Sequence, residues 1–356
     1  MIVVWFLAWR EIRHGRVRFG LTALLVGLVA FLVFMLTGLA VGLGDAGVSG
    51  LRKLPADVVV YAAGAEKTLS RSSLPAADAE RIKAVPGVSS VQPIGQTMAQ
   101  AKGPSGESLP LALMGVTPSA PFAAHALAGG GIVLDRTLDG KARPGDVLTV
   151  QPGGVRLAVA GFAELGSIQH TAVAQVPLSV WRRVQPSAVG AYLVTGPGDA
   201  ARLARDVSAA VPGTDAVTKA TAVESVPGYS AETGTLDLIR GFLLAVTALL
   251  TGTVFWIFTM QKEPSLAVLR ATGARARLLV GSHLVQVALT TVLGVALGLA
   301  VVAGIGAAMP TGTFSLPGDA AAVSAGLLAA LALGSSAASV RRLLTVDPLL
   351  SLGRNA

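Results

Sequence analysis

The stretch 19–43 contains no charged side chain and is longer than the roughly 20 residues that an α-helix needs to cross a bilayer. Three further apolar stretches of spanning length follow at 235–259, 279–309 and 320–340. Within hydrocarbon a chain must satisfy its backbone N–H and C=O groups internally, and a single apolar run can do so only as a helix. The sequence therefore predicts a membrane α-helical protein with four transmembrane helices.

Composition supports this class and excludes others. Charged residues make up 13% of the chain, against about 25% in a typical soluble domain. The net charge of +8 could indicate a nucleic-acid partner, but the aromatic content is only 5% and the basic residues lie beside apolar runs. We expect membrane lipid as a partner, no nucleic acid, and a location in the plasma membrane. Because there is no cysteine, disulfides and thiolate metal sites are excluded.

Charge placement predicts the topology. Aromatic side chains precede arginines within 1–18, which is typical of an amphipathic helix on the membrane surface. The same arginines place the start of the first span in the cytoplasm. The polar segment 44–234 would then be extracytoplasmic, as would the short loop 310–319. The loop 260–278 and the tail 341–356 would be cytoplasmic, so both termini lie inside.

The segment 44–234 is predicted to be one α/β domain inserted between the first and second spans. Two parts of it share the order helix, Val-Pro-Gly, strand, with the tripeptide at 85–87 and 211–213. This repeated pattern either marks two related α/β halves or reflects how commonly Pro-Gly joins a helix to a strand. We favour two halves, with a small β subdomain between them.

The cytoplasmic loop between the second and third spans carries a helical pattern. Pro264 suits a first helical turn, and Gly273 suits a helix end. Between them Leu266 and Leu269 recur at helical spacing, next to Arg270. Such a helix could insert its leucines into a groove on a soluble partner. The alternative is a basic loop that only sets topology.

The loop and the tail also resemble a known family. Residues 265–274, SLAVLRATGA, and residues 347–352, DPLLSL, are similar to motifs of the FtsX-like, MacB-type permeases of ABC transporters. This resemblance implies a homodimer working with two copies of an ABC ATPase, which the loop would contact. The phosphate-binding pattern G-x-x-x-x-G-K-[ST] is absent from the sequence. ATP and Mg would therefore bind the partner, and this chain would be a non-catalytic membrane subunit.

In length and plan the chain resembles the HrtB-like haem exporters within that family. The resemblance implies export of haem, or a similar amphiphile, from the membrane. A haem site needs an apolar slot, an axial donor and a cation for the propionates. Candidates of these kinds near the outer ends of the first two spans are Met35, Tyr229 and Glu232 as axial ligands, Arg240 as a propionate partner, and Phe31 and Phe34 beside Met35. Alternatively, Arg240 pairs with Asp237 and Met35 only packs.

Two other functions stay open from the sequence. The spans could relay the state of the ATPase to an extracytoplasmic partner without moving a substrate, or the exported molecule could be a lipid, peptide or drug. An enzyme is disfavoured, because the histidines at 14, 125, 170 and 283 show no metal-ligand spacing. We interpret His125 and His170 as exposed loop residues, and we expect no metal site in the protein alone.

Overall fold

The structure is a computed structural model that describes residues 2–104, 106–186, 189–271, 276–309 and 312–345. Its α-helices are α1 Ile2–His14, α2 Arg16–Arg52, α3 Asp78–Lys83, α4 Leu178–Val184, α5 Ala200–Ala210, α6 Lys219–Glu224, α7 Tyr229–Ala271, α8 Ala276–Ala307 and α9 Gly318–Thr345. Its strands are β1 Val58–Ala62, β2 Ser90–Lys102, β3 Ser108–Val116, β4 Ile132–Asp135, β5 Val147–Gln151, β6 Val155–Ala163, β7 Ser167–Ile168, β8 Thr171–Pro177, β9 Ala191–Thr195 and β10 Thr214–Thr218.

The chain divides into two compact units. The helix unit contains Met1–Gly42 and Thr235–Ala356, and the sheet unit contains Leu43–Gly234. The sheet unit begins one residue before the predicted domain 44–234 and ends at the same residue. In chain order, all the strands named above lie between α2 and α7.

Four helices of the described residues are long and apolar enough to cross a membrane. The qualifying segments are Arg16–Arg52, Tyr229–Val254, Val280–Ala307 and Gly318–Ser336, which confirms the predicted number of candidate spans. Large apolar side chains on these helices are exposed, as at Leu249 (71%) and Val292 (65%). A helix that presents apolar side chains on all sides is suited to a membrane or to a large core.

Two helix boundaries differ from the predicted ones. The amphipathic helix ends at His14, so Arg16 and Arg18 belong to the first turn of α2 rather than to a surface helix 1–18. At the other site, α7 continues to Ala271 without a break, so Pro264 lies inside a helix instead of starting a new one. Proline removes one backbone hydrogen bond, but its fixed φ is close to the helical value, so the helix can continue through it.

The core of the helix unit depends on small residues. Val33 and Phe34 of α2 pack with Val302 of α8 and Leu328 of α9. Helices α2 and α8 approach closely at Gly298, where an added Cβ atom would lie 2.8 Å from the carbonyl oxygen of Gly27. Small residues permit such backbone approach between membrane helices. The glycine-rich composition is thus used to bring these two helices together.

The sheet unit contains two α/β halves. Strands β10, β1, β9 and β2 form an antiparallel sheet in that order. Helices α3 and α5 cover one face through buried side chains such as Ile82, Leu203 and Val207. The halves β1–α3–β2 and β9–α5–β10 together give the ferredoxin-like βαββαβ arrangement. The structure confirms the two halves that the repeated Val-Pro-Gly predicted.

A small barrel is inserted between the halves. Strands β2, β3, β8, β4, β6 and β5 pair in that order, and β5 pairs back with β2 at Ala101 and Val150. Buried aliphatic side chains fill the interior, together with Trp181 of α4. Closure removes the exposed edges of the sheet. The predicted β subdomain is therefore a closed barrel that shares β2 with the four-stranded sheet.

The close contact between α2 and α8 can be tested with Gly298→Val. The new side chain would overlap the backbone of α2, so we expect the free energy of unfolding to fall by about 1–3 kcal/mol and the Tm to fall with it. Gly304→Val is the matched control, because an added Cβ atom at Gly304 of the same helix has nothing within 4 Å. Equal Tm values for the two variants would contradict the close contact.

Candidate functional site

A polar cluster lies in the sheet unit, where α2 ends and α7 begins. It consists of Asp45 and Arg52 of α2, His170 from the turn between β7 and β8, and Tyr229 and Glu232 of α7. We call these residues the helix-end cluster. The chain turns into α7 at Gly228, whose φ is +86°, and Glu232 follows in the first turn of the helix. An acidic side chain is favourable there because the first turn carries partial positive charge.

The turn that carries His170 is held against α2 by main-chain bonds. The N–H groups of Gln169 and His170 donate to the carbonyl oxygens of Gly47 and Ala46, at 2.8 and 3.0 Å. The hairpin can approach because Gly50 has no side chain; a Cβ atom there would lie 2.7 Å from Val173. The backbone of His170 is thus held against α2 by main-chain contacts.

The backbone at His170 adopts an uncommon conformation. Gln169 and His170 have φ values of 49° and 60°, and they form the two-residue turn between paired Ile168 and Thr171. Turns of this kind favour Asn-Gly, because a side chain at positive φ is sterically costly. Non-glycine residues in strained conformations are often found at functional sites, so the conformation of His170 makes it a candidate functional residue.

The side chains of the cluster pair across elements. The His170 Nε2 atom lies 3.2 Å from the Glu232 Oε1 atom, and the two side chains are 45% and 24% exposed. Arg52 donates from Nη2 to the Tyr229 hydroxyl at 3.2 Å and forms a salt bridge through Nη1 with Asp45. The cluster therefore presents an imidazole, a carboxylate and a phenol, partly open to the surroundings and supported by one arginine.

A second cation supports the end of α2. The Lys219 ammonium donates to the Leu54 carbonyl oxygen at 2.6 Å. Burial lowers the pKa of Lys219, nearby Asp57 acts in the opposite direction, and Arg52 adds to the lowering. Positive charge near a helix C-terminus stabilises the helix, so Lys219 and Arg52 both help to hold α2 in place.

The helix-end cluster contains side chains of types that can bind metals. Histidine and tyrosine are established axial ligands of haem iron, and a carboxylate is a further anionic donor. A site for a bare ion usually needs three or more protein ligands. Within the part of the chain that the structure describes, no group of three or more His, Cys, Asp or Glu side chains could hold a metal ion.

The other predicted substrate residues belong to the helix unit. Phe34 is fully buried in the core of that unit, and Phe31 and Met35 pack against the same core. Arg240 is partly exposed and Asp237 exposed. The salt bridges found among the described residues do not include an Arg240–Asp237 pair.

The predicted coupling residues lie at the end of α7. Pro264, Leu266, Leu269 and Arg270 all belong to the helix, which ends at Ala271. Gly273 and the tail motif at 347–352 lie outside the described residues.

Three residues of the cluster, Asp45, Arg52 and His170, were not proposed as site residues from the sequence. The interpretation of His170 as an exposed loop histidine agrees with the 45% exposure of its side chain, but that interpretation did not include the contact with Glu232. These residues are 62 positions apart, and only the docking of the hairpin on α2 brings them together. The one local signal is the two-residue spacing between β7 and β8, which predicts a tight hairpin without indicating its neighbour.

The C-terminal part of the chain matches a known family. Residues 238–348 match the family described as FtsX-like permease C-terminal. This stretch includes most of α7 and all of α8 and α9. The chain therefore carries an FtsX-like permease domain, which confirms the resemblance seen in the loop and the tail. Permeases of this family are the membrane subunits of ABC transporters and are generally non-catalytic.

Similarity to individual proteins extends over the full chain. A protein of Staphylococcus haemolyticus strain JCSC1435, named hemin transport system permease protein HrtB, is 24% identical over 98% of this chain and 99% of its own length. The protein of the same name in Staphylococcus epidermidis strain ATCC 35984 is 22% identical over the same shares.

Two solved structures are also similar to part of the chain. The extracellular domain of the ABC-type transporter YknZ from Gram-positive bacteria is 16% identical, with 45% of this chain and 99% of that domain covered and a TM-score of 0.32. The periplasmic region of MacB from Actinobacillus actinomycetemcomitans is 12% identical, with 49% and 94% covered and a TM-score of 0.34. At these TM-scores neither likeness fixes the fold of this chain.

The strain at His170 can be separated from its imidazole by two substitutions. His170→Gly should keep the turn, because glycine adopts positive φ freely. His170→Val should lower the free energy of unfolding by about 1–3 kcal/mol, because a β-branched residue is strained there. Thermal unfolding measures both, and Thr171→Val in the following strand controls for a valine in this region. A His170→Val variant as stable as His170→Gly would contradict the strained turn.

Proposed function

We propose that this chain is the permease subunit of an ABC-type efflux pump that exports haem, or a similar amphiphile, from the membrane. The observation that carries the proposal is the Tyr229–Glu232–His170 arrangement, found in a chain that is similar over its whole length to permeases named for hemin transport. Those names describe the relatives. The donor chemistry of the helix-end cluster gives an independent reason to extend the substrate to this chain.

Each cluster residue has a distinct role in this proposal. Glu232 or Tyr229 supplies the axial ligand, and the His170 imidazole orients the Glu232 carboxylate through its hydrogen bond. Arg52 orients the Tyr229 hydroxyl in the same way. In the helix unit, Met35 is a further candidate donor beside Phe31 and Phe34, and Arg240 is a candidate partner for a propionate.

Energy comes from a separate subunit in this proposal. Two copies of the permease act with two ABC ATPase subunits, which bind ATP and Mg. The span and the coupling residues of α7 form one uninterrupted helix as far as Ala271, so a push on the segment from Pro264 to Arg270 would displace the span directly. The arginines around the start of α2 and near the end of α9 favour a plasma-membrane orientation with both termini cytoplasmic and the sheet unit outside.

The haem assignment predicts a spectroscopic change. Glu232→Ala and Met35→Ala should each weaken or shift the Soret band of haem added to the purified complex, because each removes a candidate iron ligand. Glu224→Ala is the matched control, since Glu224 is an exposed acid of α6 outside the cluster. An unchanged Soret band in both test variants would contradict both ligand assignments.

The same complex distinguishes export from signal relay. An exporter of haem should hydrolyse ATP faster when haem is supplied, because bound substrate favours the conformation in which the ATPase subunits hydrolyse ATP. A permease that only relays the state of the ATPase to an extracytoplasmic partner should show the same ATPase rate with and without haem. The assay needs the cognate ATPase co-purified with the permease.

The coupling assignment predicts a loss in Leu269→Glu. A charge in an apolar contact should weaken the assembly with the ATPase by roughly tenfold or more, equivalent to about 1.4 kcal/mol, and should reduce ATP-driven export. Leu269→Met retains an apolar side chain of similar volume and should behave as the natural protein. If Leu269→Glu assembles and exports normally, this part of α7 does not contact the ATPase.

A further inference from the structure

A groove in the helix unit has no role in the proposed function. It has a volume of about 670 Å³ and lies between α1, the first turns of α2, and the middle of α8. Its walls are mostly apolar and include Trp9, Phe19, Leu289 and Leu293. We call it the arginine groove, because the only charged side chains among its described lining residues are Arg13 and Arg16.

Hydrogen bonds between the helices that line the groove hold them in place. Gln286 of α8 donates a hydrogen bond from Nε2 to the Glu11 carboxylate, which anchors α1 to α8. The Arg16 Nε atom donates to the Arg13 carbonyl oxygen at 3.2 Å across the break between α1 and α2. The two lining arginines are therefore placed next to each other by the turn from α1 into α2.

Charge in this region is strongly positive. The segment from α1 through the first turn of α2 contains Arg10, Arg13, Arg16 and Arg18 but one acid, Glu11, and α8 contains no acid. Among the described residues, no carboxylate forms a salt bridge with Arg13 or Arg16. Both side chains are exposed at the groove. A ligand with an apolar body and an anionic head would complement these features.

We propose that the arginine groove binds an anionic phospholipid, with its phosphate between Arg13 and Arg16 and its acyl chains along α8. The α8 wall extends from Leu289 to Ala296, about two helical turns, and can line the first part of acyl chains that lie parallel to the helix. Basic pockets between membrane helices are suited to anionic headgroups. Haem is disfavoured because the described lining residues include no His, Met, Tyr, Cys or acid to ligate its iron.

Binding of defined lipids to the purified, delipidated chain tests the proposal. Native mass spectrometry would compare dioleoyl phosphatidylglycerol with dioleoyl phosphatidylcholine. We expect the natural chain to retain phosphatidylglycerol roughly tenfold more strongly, and Arg13→Gln combined with Arg16→Gln to lose that preference. Arg10→Gln is the charge control, because Arg10 is an exposed arginine of α1 outside the groove and should leave the preference intact.

A second variant tests the apolar part of the groove. Gly20 lines the groove and an added Cβ atom there has nothing within 4 Å, so Gly20→Leu should fill the groove without a clash and prevent retention of phosphatidylglycerol. Gly304→Leu, in equally open space on α8 away from the groove, should have no effect.

Three results would overturn the proposal. They are equal retention of the two lipids by the natural chain, an equal loss of preference in Arg10→Gln, and displacement of phosphatidylglycerol by haem at equimolar concentration. The double variant at Arg13 and Arg16 and the control at Arg10 both keep long polar side chains on an exposed surface, so we expect them to fold. They therefore still test the proposal if Gly20→Leu does not fold. The Soret measurements on Glu232→Ala are independent of this outcome, so the lipid site and haem export can fail separately.

Discussion

The requirement that every backbone polar group be satisfied within hydrocarbon governs the helix unit. A helix meets this requirement along its own length, and any interruption within the apolar zone would leave N–H and C=O groups without partners. Beyond the apolar run, α7 continues through Pro264 to Ala271, and a different comparison of costs applies there. One lost hydrogen bond costs less than the several that a separate helix start would expose. A segment that resembles a connecting loop in sequence is therefore part of a long helix.

The same environment explains how the helices associate. Apolar side chains gain little by leaving lipid for each other, so close backbone contact has to supply the attraction. Gly294 and Gly298 of α8 provide it by facing α2, where Val26 and Gly27 lie within van der Waals reach. The many glycines of the sequence indicate this mode of packing, but only the structure shows which of them lie at a contact and which, like Gly304, face open space.

Much of the architecture could be predicted from local patterns. Apolar runs gave the number of candidate spans, and two copies of Val-Pro-Gly gave the two halves of the sheet unit. Helix ends were less predictable: α2 reaches Arg52, well beyond the predicted end at 43, because the helix continues through the more polar residues after the apolar run, which already belong to the sheet unit. Tyr229 and Glu232 could be selected by chemistry and position. Their partner His170 could not, since a contact between distant residues depends on how the hairpin docks on α2.

Strand β2 belongs to both the four-stranded sheet and the barrel. Its first half pairs with β9, and its second half pairs with β3 and β5. A tilt of the barrel against the four-stranded sheet would have to bend β2 and disturb its main-chain hydrogen bonds to β9, β3 or β5. The two parts are thus joined by a hydrogen-bonded strand, so a displacement of one part is passed through β2 to the other.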